Sequence, residues 1–295
     1  MSPDAGRPGR GGRTLTGMSR VTQRRRVVRL TADGAARERA DTLAGEEPLE
    51  VRVGGRAFSV TMRTPGDDFD LAVGFLHGEG VVRSWSDVAQ IDYRSGIGAD
   101  GLRDYNVVNV ELAEGVPPPD PGLERHVYTT SSCGICGTAS IESVRRSGEH
   151  DLGADRTTYP LASLLALPDR LRQEQAVFDR TGGVHAAGLF LPGDGGLELA
   201  CLREDVGRHN AVDKVVGWAL REVGMPLRGG VLQVSGRASF ELVQKAVLAG
   251  IPVLCAVSAP SSLAVDLAEE SGLTLVGFSR GDSLNVYAHR GRVRA

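Results

Sequence analysis

Apolar and polar residues alternate across positions 49–53 and again across 57–62, on either side of Gly54-Gly55. Two alternating runs joined by a two-residue glycine turn predict a β-hairpin. The stretch TPGDD that follows (64–68) precedes Leu71, Phe75 and Leu76, which fall on one face at helical spacing. A helix is predicted there, with Asp67 or Asp68 placed to cap it. Positions 105–112 read as a strand, the proline-rich 114–122 as a rigid exposed loop, and 126–130 as another short strand. Beyond them the rhythm changes. Helical periodicity runs from 138 to about 146 and, in one or two pieces, from 161 to about 179. Apolar strands are predicted at 184–191, 197–202, 231–234, 252–257, 273–277 and 284–288. Helices fall at 209–223, at 239–249 with Phe240, Val243 and Leu248 facing inward, and at 261–270. Strands alternating with helices of this length predict a layered α/β domain.

Residues 1–24 are rich in Arg, Gly, Ser and Thr with almost no apolar content, and are expected to be a disordered basic tail. Met18 is a second candidate for the first residue. The remainder divides into a β-rich α+β part over 25–125 and an α/β part over 126–295. A net charge of -3 argues against a general nucleic-acid binder, whose footprint is normally basic. No apolar run approaches the ~18 residues of a membrane span, and the longest, IPVLCAV (251–257), reads as one buried strand. Four cysteines in 295 residues do not make a disulfide scaffold, so a reducing cytoplasm is the expected compartment.

Two of those cysteines, Cys133 and Cys136, lie three positions apart in TTSSCGICGT (129–138). A structural zinc site wants four ligands, and no second C-x-x-C or H-x-x-x-H is present. Cys201 and Cys255 sit alone inside apolar strands and are expected to be core residues. Thioredoxin-like proteins also carry C-x-x-C, but at the start of a small βαβ domain rather than in mid-chain. The context favours a reactive thiol. The predicted helix start near Thr138 would stabilise a thiolate, and Gly134 and Gly137 leave room for an extra sulfur atom or a partner's cysteine.

A second group of motifs lies downstream. TGGVHAAGL (181–189) carries His185, whose plainest reading is a satisfied strand histidine. In LREDVGRHNAVDKV (202–215), Arg203, Arg208 and Lys214 could hold phosphate, and Glu204, Asp205, His209 and Asn210 could bind polar ligand edges. VSGRASFEL (234–242) is strand, glycine turn and helix, with Arg237 and Ser239 at hand for an anion. Hydroxyls recur at VSAPSS (257–262), and GFSRGDSLNVY (277–287) offers Arg280 and Asn285. Ligands of α/β sheets bind at the carboxyl ends of strands. Three successive strand ends of this kind suit a large phosphate-bearing ligand, although no Walker A or G-x-G-x-x-G pattern is present.

TPGDDFDLAVGFLHGEG (64–80), SSCGICG, GGVHAAGL, REDVGRHNAVDK, SGRASFELVQKA and GFSRGDSLNVYA, in that order, resemble the formate dehydrogenase accessory sulfurtransferase (FdhD) family from about Val27 to Ala288. The resemblance implies a cytidine-deaminase-like three-layer α/β domain with an added N-terminal β-rich part, usually in a homodimer. It implies a sulfurtransferase that accepts sulfur from a cysteine desulfurase as a persulfide. That sulfur would pass to the molybdenum cofactor, in its bis(guanine dinucleotide) form, before the cofactor enters formate dehydrogenase. Cys133 matches the persulfide-carrying position and Cys136 is its neighbour. The cofactor-binding stretch falls on Phe278, Ser279, Arg280, Gly281, Asp282 and Ser283, and Arg237 and His209 are expected to join it. No tightly bound zinc is expected, because the deaminase signature H-x-E followed by P-C-x-x-C is missing. Two rivals remain: a non-catalytic cofactor-binding chaperone, and a thiol-disulfide oxidoreductase using the same cysteine pair.

Overall fold

The computed structural model describes residues 21–94, 96–97, 103–119 and 150–295. The predicted strand at 126–130, the helix at 138–146, Cys133 and Cys136 lie outside the described residues. So do the first 20 residues of the predicted tail.

The chain begins with a nine-residue antiparallel ribbon, β1 (Thr22–Leu30) and β2 (Ala36–Ala44). No strand was expected here, and the predicted tail, drawn to residue 24, overlaps the first residues of β1. The ribbon is mostly exposed, so its sequence carries little apolar alternation to announce it. The predicted hairpin follows as β3 (Glu47–Val53) and β4 (Arg56–Arg63), and the predicted helix as α1 (Asp68–Gly78). Then come β5 (Val88–Tyr93), the two-residue strands β6 (Gly96–Ile97) and β7 (Arg103–Asp104), and β8 (Val107–Leu112). A four-stranded sheet forms in the order β4-β3-β8-β5, with β3 and β8 parallel.

The rest of the chain builds the α/β layers. A short β9 (Tyr159–Pro160) leads into three helices where one or two were expected: α2 (Leu161–Leu165), α3 (Leu167–Gln173) and α4 (Ala176–Thr181). Next are β10 (His185–Gly193), β11 (Gly196–Asp205), α5 (Arg208–Glu222), β12 (Val231–Val234) and α6 (Phe240–Leu248). The chain closes with β13 (Val253–Ala256), α7 (Ser262–Ser271), β14 (Thr274–Arg280), β15 (Ser283–Ala288) and β16 (Val293–Arg294). Six of these strands form one mixed sheet, ordered β11-β10-β12-β13-β14-β15, in which β12, β13 and β14 are parallel. β12 (VLQV) and β13 (VLCA) are buried along their whole length, as central parallel strands covered on both faces must be.

Alternate residues of these strands point to opposite faces, which separates two cores. Leu232, Val234, Leu254, Ala256 and Leu275 pack with α5, α6 and α7, and with the four-stranded sheet's Leu49, Val51, Val108 and Val110. Val231, Val253, Cys255 and Val276 pack on the other face with Leu164 and Leu167. Cys201 and Cys255 are buried, as expected of core residues, and burial pushes each thiol up to about 12. Among the described residues no helix is long and apolar enough to cross a membrane.

The joint between the two parts is a helix crossing. A Cβ at Gly74 of α1 would lie 1.9 Å from the Asp213 carbonyl oxygen, and a Cβ at Gly217 of α5 would lie 1.9 Å from that of Asp70. The two helices therefore touch backbone to backbone at a reciprocal pair of glycines.

Candidate functional site

The charged stretch at 202–215 lies where β11 ends and α5 begins, and much of it is engaged within the protein. Asp205, 0% exposed, and Lys214, 1% exposed, form an ion pair at 2.8 Å. The Lys214 ammonium also donates to the Thr64 carbonyl at 2.8 Å. Asp205 accepts from the backbone N–H of Thr64 at 3.0 Å, from that of Gly207 at 2.8 Å and from the Asn210 amide at 3.0 Å. Arg203 is spent on Asp70 at 3.0 Å and Asp67 at 3.4 Å, and Arg221 reaches Asp70 at 2.8 Å. Glu204 accepts from the backbone N–H groups of Val177 and Phe178 at the start of α4. The readings of Arg203 and Lys214 as phosphate holders, and of Glu204, Asp205 and Asn210 as ligand contacts, give way to a latch. Arg203, Asp205 and Lys214 clasp TPGDDFD, whose Asp68 is held by a buried two-pronged contact from Arg63 at 2.9 and 2.8 Å. Asp67 does sit at the N-cap of α1, but in the left-handed conformation (φ 54°), and its side chain makes no cap bond and lies 3.4 Å from Arg203 instead.

Behind the latch the three strand ends come together as expected. Ser235, Val257 and Arg280, just past β12, just past β13 and at the end of β14, line one cleft of about 540 Å³ with His185, Val206, Gly182 and Gly183. Its other wall is Arg172 of α3, Gln175 from the turn after it and Phe178 of α4. Backbone bonds stitch the ends in sequence: Ser235 N–H donates to Ala186, Val257 N–H to Val234, Ser258 N–H to Gly236, and Phe278 N–H to Ser258. Gly277 permits this approach, since a Cβ there would meet Pro260 and Tyr287, each at 2.9 Å.

His185 packs against the Gly236 turn, whose Cβ position is 3.4 Å from its Nδ1. Burial, and then the neighbouring Arg208 and His209, hold its pKa below the usual imidazole value, so it is a neutral group at neutral pH. Arg208 places a buried Nε that finds no hydrogen-bond partner among the described residues. Arg237 and Arg280 are exposed, and neither forms an ion pair among the described residues; the Arg280 guanidinium lies 5.7 Å from the Phe278 ring. Unpaired arginines beside half-buried hydroxyls make the surface electropositive where phosphates would lie.

Of the stretch 278–283, only Arg280 lines the cleft. Phe278 is half-buried at φ +50°, Ser279 is buried, Gly281 (φ +60°) and Asp282 form the exposed turn from β14, and Ser283, also exposed, opens β15. His209 and Arg237 are not among the cleft's lining residues. The His209 Nε2 lies 3.2 Å from the Ser239 hydroxyl and 3.5 Å from Glu241 on α6, and that bond is the main reason the Glu241 carboxyl is held down to about 2. Sequence reasoning missed Arg172, Gln175 and Phe178, which belong to no motif. It also did not single out Glu241, although that residue lies inside the quoted SGRASFELVQKA.

Comparison with known proteins agrees over nearly the whole chain. A family model described as the FdhD/NarQ family matches residues 44–294. A Streptomyces coelicolor protein named "Sulfur carrier protein FdhD" is 60% identical over 277 residues, covering 94% of this chain and 97% of its own. Proteins of the same name from Mycolicibacterium paratuberculosis and Saccharolobus solfataricus are 59% and 42% identical, over 92% and 88% of this chain and 99% and 94% of their own. A crystal structure described as a candidate formate dehydrogenase accessory protein, from Desulfotalea psychrophila, superposes with a TM-score of 0.71 at 24% identity. It covers 93% of this chain and 100% of its own, which shows a shared fold.

Proposed function

Because the chain belongs to the FdhD/NarQ family, we propose that it is a sulfur carrier working on the molybdenum cofactor for formate dehydrogenase. A cysteine desulfurase presents a persulfide. The Cys133 thiolate attacks its terminal sulfur, the donor's S–S bond breaks as a new one forms on Cys133, and the donor leaves as a thiolate that takes up a proton. The sulfur then passes to the bis(guanine dinucleotide) cofactor, the substrate, before that cofactor enters the catalytic subunit of formate dehydrogenase in the cytoplasm. The α/β domain is read as one of cytidine-deaminase type, which superposition on a deaminase tests.

The observation that carries the reading is the cleft. Ser235 and Arg280 at the carboxyl ends of parallel strands, with the neutral His185 at the start of the antiparallel β10 beside them, suit phosphates. The Phe178 ring, stacked by Arg172 on one face, lines the same cleft for a base. Arg280→Ala, at an exposed position, is expected to weaken guanosine diphosphate binding about 10- to 100-fold by calorimetry, the loss of one charge-assisted contact. Unchanged affinity would count against the cleft.

Intact-mass spectrometry after incubation with cysteine and a desulfurase tests the carrier step. Wild type is expected to gain one reductant-sensitive sulfur, Cys133→Ala none, and Cys136→Ala a reduced amount. Cys201 and Cys255, buried and held protonated, do not compete. No gain in wild type, with the desulfurase shown competent on another acceptor, would favour a cofactor chaperone instead.

A further inference from the structure

Gln175 lines the cleft yet has no role in the chemistry described so far. It is the most enclosed polar residue of that lining, only 4% exposed. Its side-chain amide makes no hydrogen bond among the described residues. Its neighbours in the lining are better matched. The Ser235 hydroxyl accepts from the Ala186 N–H at 2.9 Å, and Arg172 pairs with Asp179 at 2.6 Å while lying 4.8 Å from the Phe178 ring. Gln175 holds the N-cap position of α4, where a polar side chain ordinarily turns back to the first N–H groups of its helix. It does not do so. Glu204 of β11 does this from outside, its two carboxylate oxygens accepting from the Val177 N–H at 2.7 Å and the Phe178 N–H at 2.8 Å. The start of α4 is therefore already filled, and the Gln175 amide is left over.

A primary amide presents a donor and an acceptor side by side in one plane. Its complement is a planar edge that offers an acceptor beside a donor, as guanine does in its C6=O and N1–H. Water can meet the amide while the cleft is open. A ligand that expels this water either supplies such an edge or leaves the amide buried and unpaired, which is the larger penalty.

We propose that Gln175 reads the base edge of the nucleotide in this cleft, and that Glu204 is its positioning residue. The Gln175 Nε2 donates to C6=O and its Oε1 accepts from N1–H, with the base laid on the face of Phe178 that Arg172 leaves open. An adenine edge fits the same amide turned over, so Gln175 demands a paired edge without choosing between the purines. The inference rests on the reading of the cleft as a guanine-nucleotide site. It adds the contact that tells a base from a bare phosphate.

The test crosses a change in the protein with a change in the ligand. Guanosine diphosphate and its N1-methyl derivative, which lacks the N1–H, are titrated by calorimetry into the full-length chain and its variants. Methylation is expected to weaken binding to wild type about 10-fold. It should cost almost nothing in Gln175→Leu, which itself binds guanosine diphosphate about 10-fold more weakly. Glu204→Gln leaves one of the two α4 N–H groups without an acceptor, and should shrink both the affinity and the methylation penalty. Arg280→Ala should lower the affinity and keep the penalty, because it acts on phosphate. Gln175→Leu is expected to melt no lower than wild type, since it removes an amide that the fold does not use. An equal methylation penalty in wild type and Gln175→Leu would overturn the inference, and a loss of affinity in Arg280→Ala would still leave the cleft standing. A Gln175→Leu protein that melts well below wild type would show an amide spent on the fold, and would overturn it too. A full penalty in Glu204→Gln would overturn the positioning role. No binding of guanosine diphosphate by wild type would overturn the cleft and the inference together.

Discussion

Lys214→Met is expected to cost about 3–5 kcal/mol of stability, read as a lower urea midpoint at unchanged slope. The substitution keeps most of the side chain's volume and removes only the charge. What remains is the Asp205 carboxylate, fully buried, with neutral donors alone to balance it. The Thr64 carbonyl loses its ammonium donor in the same step. An uncompensated buried charge is the larger penalty, so adding Asp205→Asn should recover part of the loss. The recovery identifies the cause. If the double variant is no better than Lys214→Met, the effect comes from packing or from Thr64, and the ion pair is not what closes the latch.

Gly217→Ala is expected to destabilise by about 2–4 kcal/mol, although alanine is the better helix former by ~1 kcal/mol. The methyl group would have to occupy space 1.9 Å from the Asp70 carbonyl oxygen, which belongs to the backbone of another helix and cannot rotate away. α1 and α5 must move apart, loosening the apolar contacts around Leu71, Val73, Val212 and Val216. Thermal melting should show a drop of roughly 5–10 °C. Gly74→Ala should act alike, and the two together should cost less than their sum, because helices already separated by one methyl accommodate the second. A strictly additive pair would mean that the glycines act through each helix alone.

What could be read from the sequence divides along a physical line. The parallel strands were legible because short apolar runs such as VLQV and VLCA have no other home than a doubly covered sheet. The convergence of Ser235, Val257 and Arg280 followed from the rule that strand ends gather ligands. The ribbon was hidden because it buries almost nothing, and periodicity records burial. The charged stretch announced itself as special but not its purpose, since Asp70, which pairs with Arg203, and the Thr64 carbonyl, which Lys214 holds, are 133 and 150 positions away in the chain. Gln175 and Phe178 reach the cleft only because α3 and α4 break and turn at Glu174, a detail of packing that no motif encodes.

The latch also sets the order in which the protein can be made. Thr64 leaves the ribosome 150 residues ahead of Lys214, the residue that holds its carbonyl. At ~5–20 residues per second, roughly 8–30 s pass before that contact is possible. For that interval the hairpin β3–β4 and the apolar face of α1 are present without their cover. The nascent chain must therefore carry an exposed apolar helix through about half of its own synthesis. At this stage chaperone supply is expected to affect how much protein accumulates, independently of the stability of the finished fold.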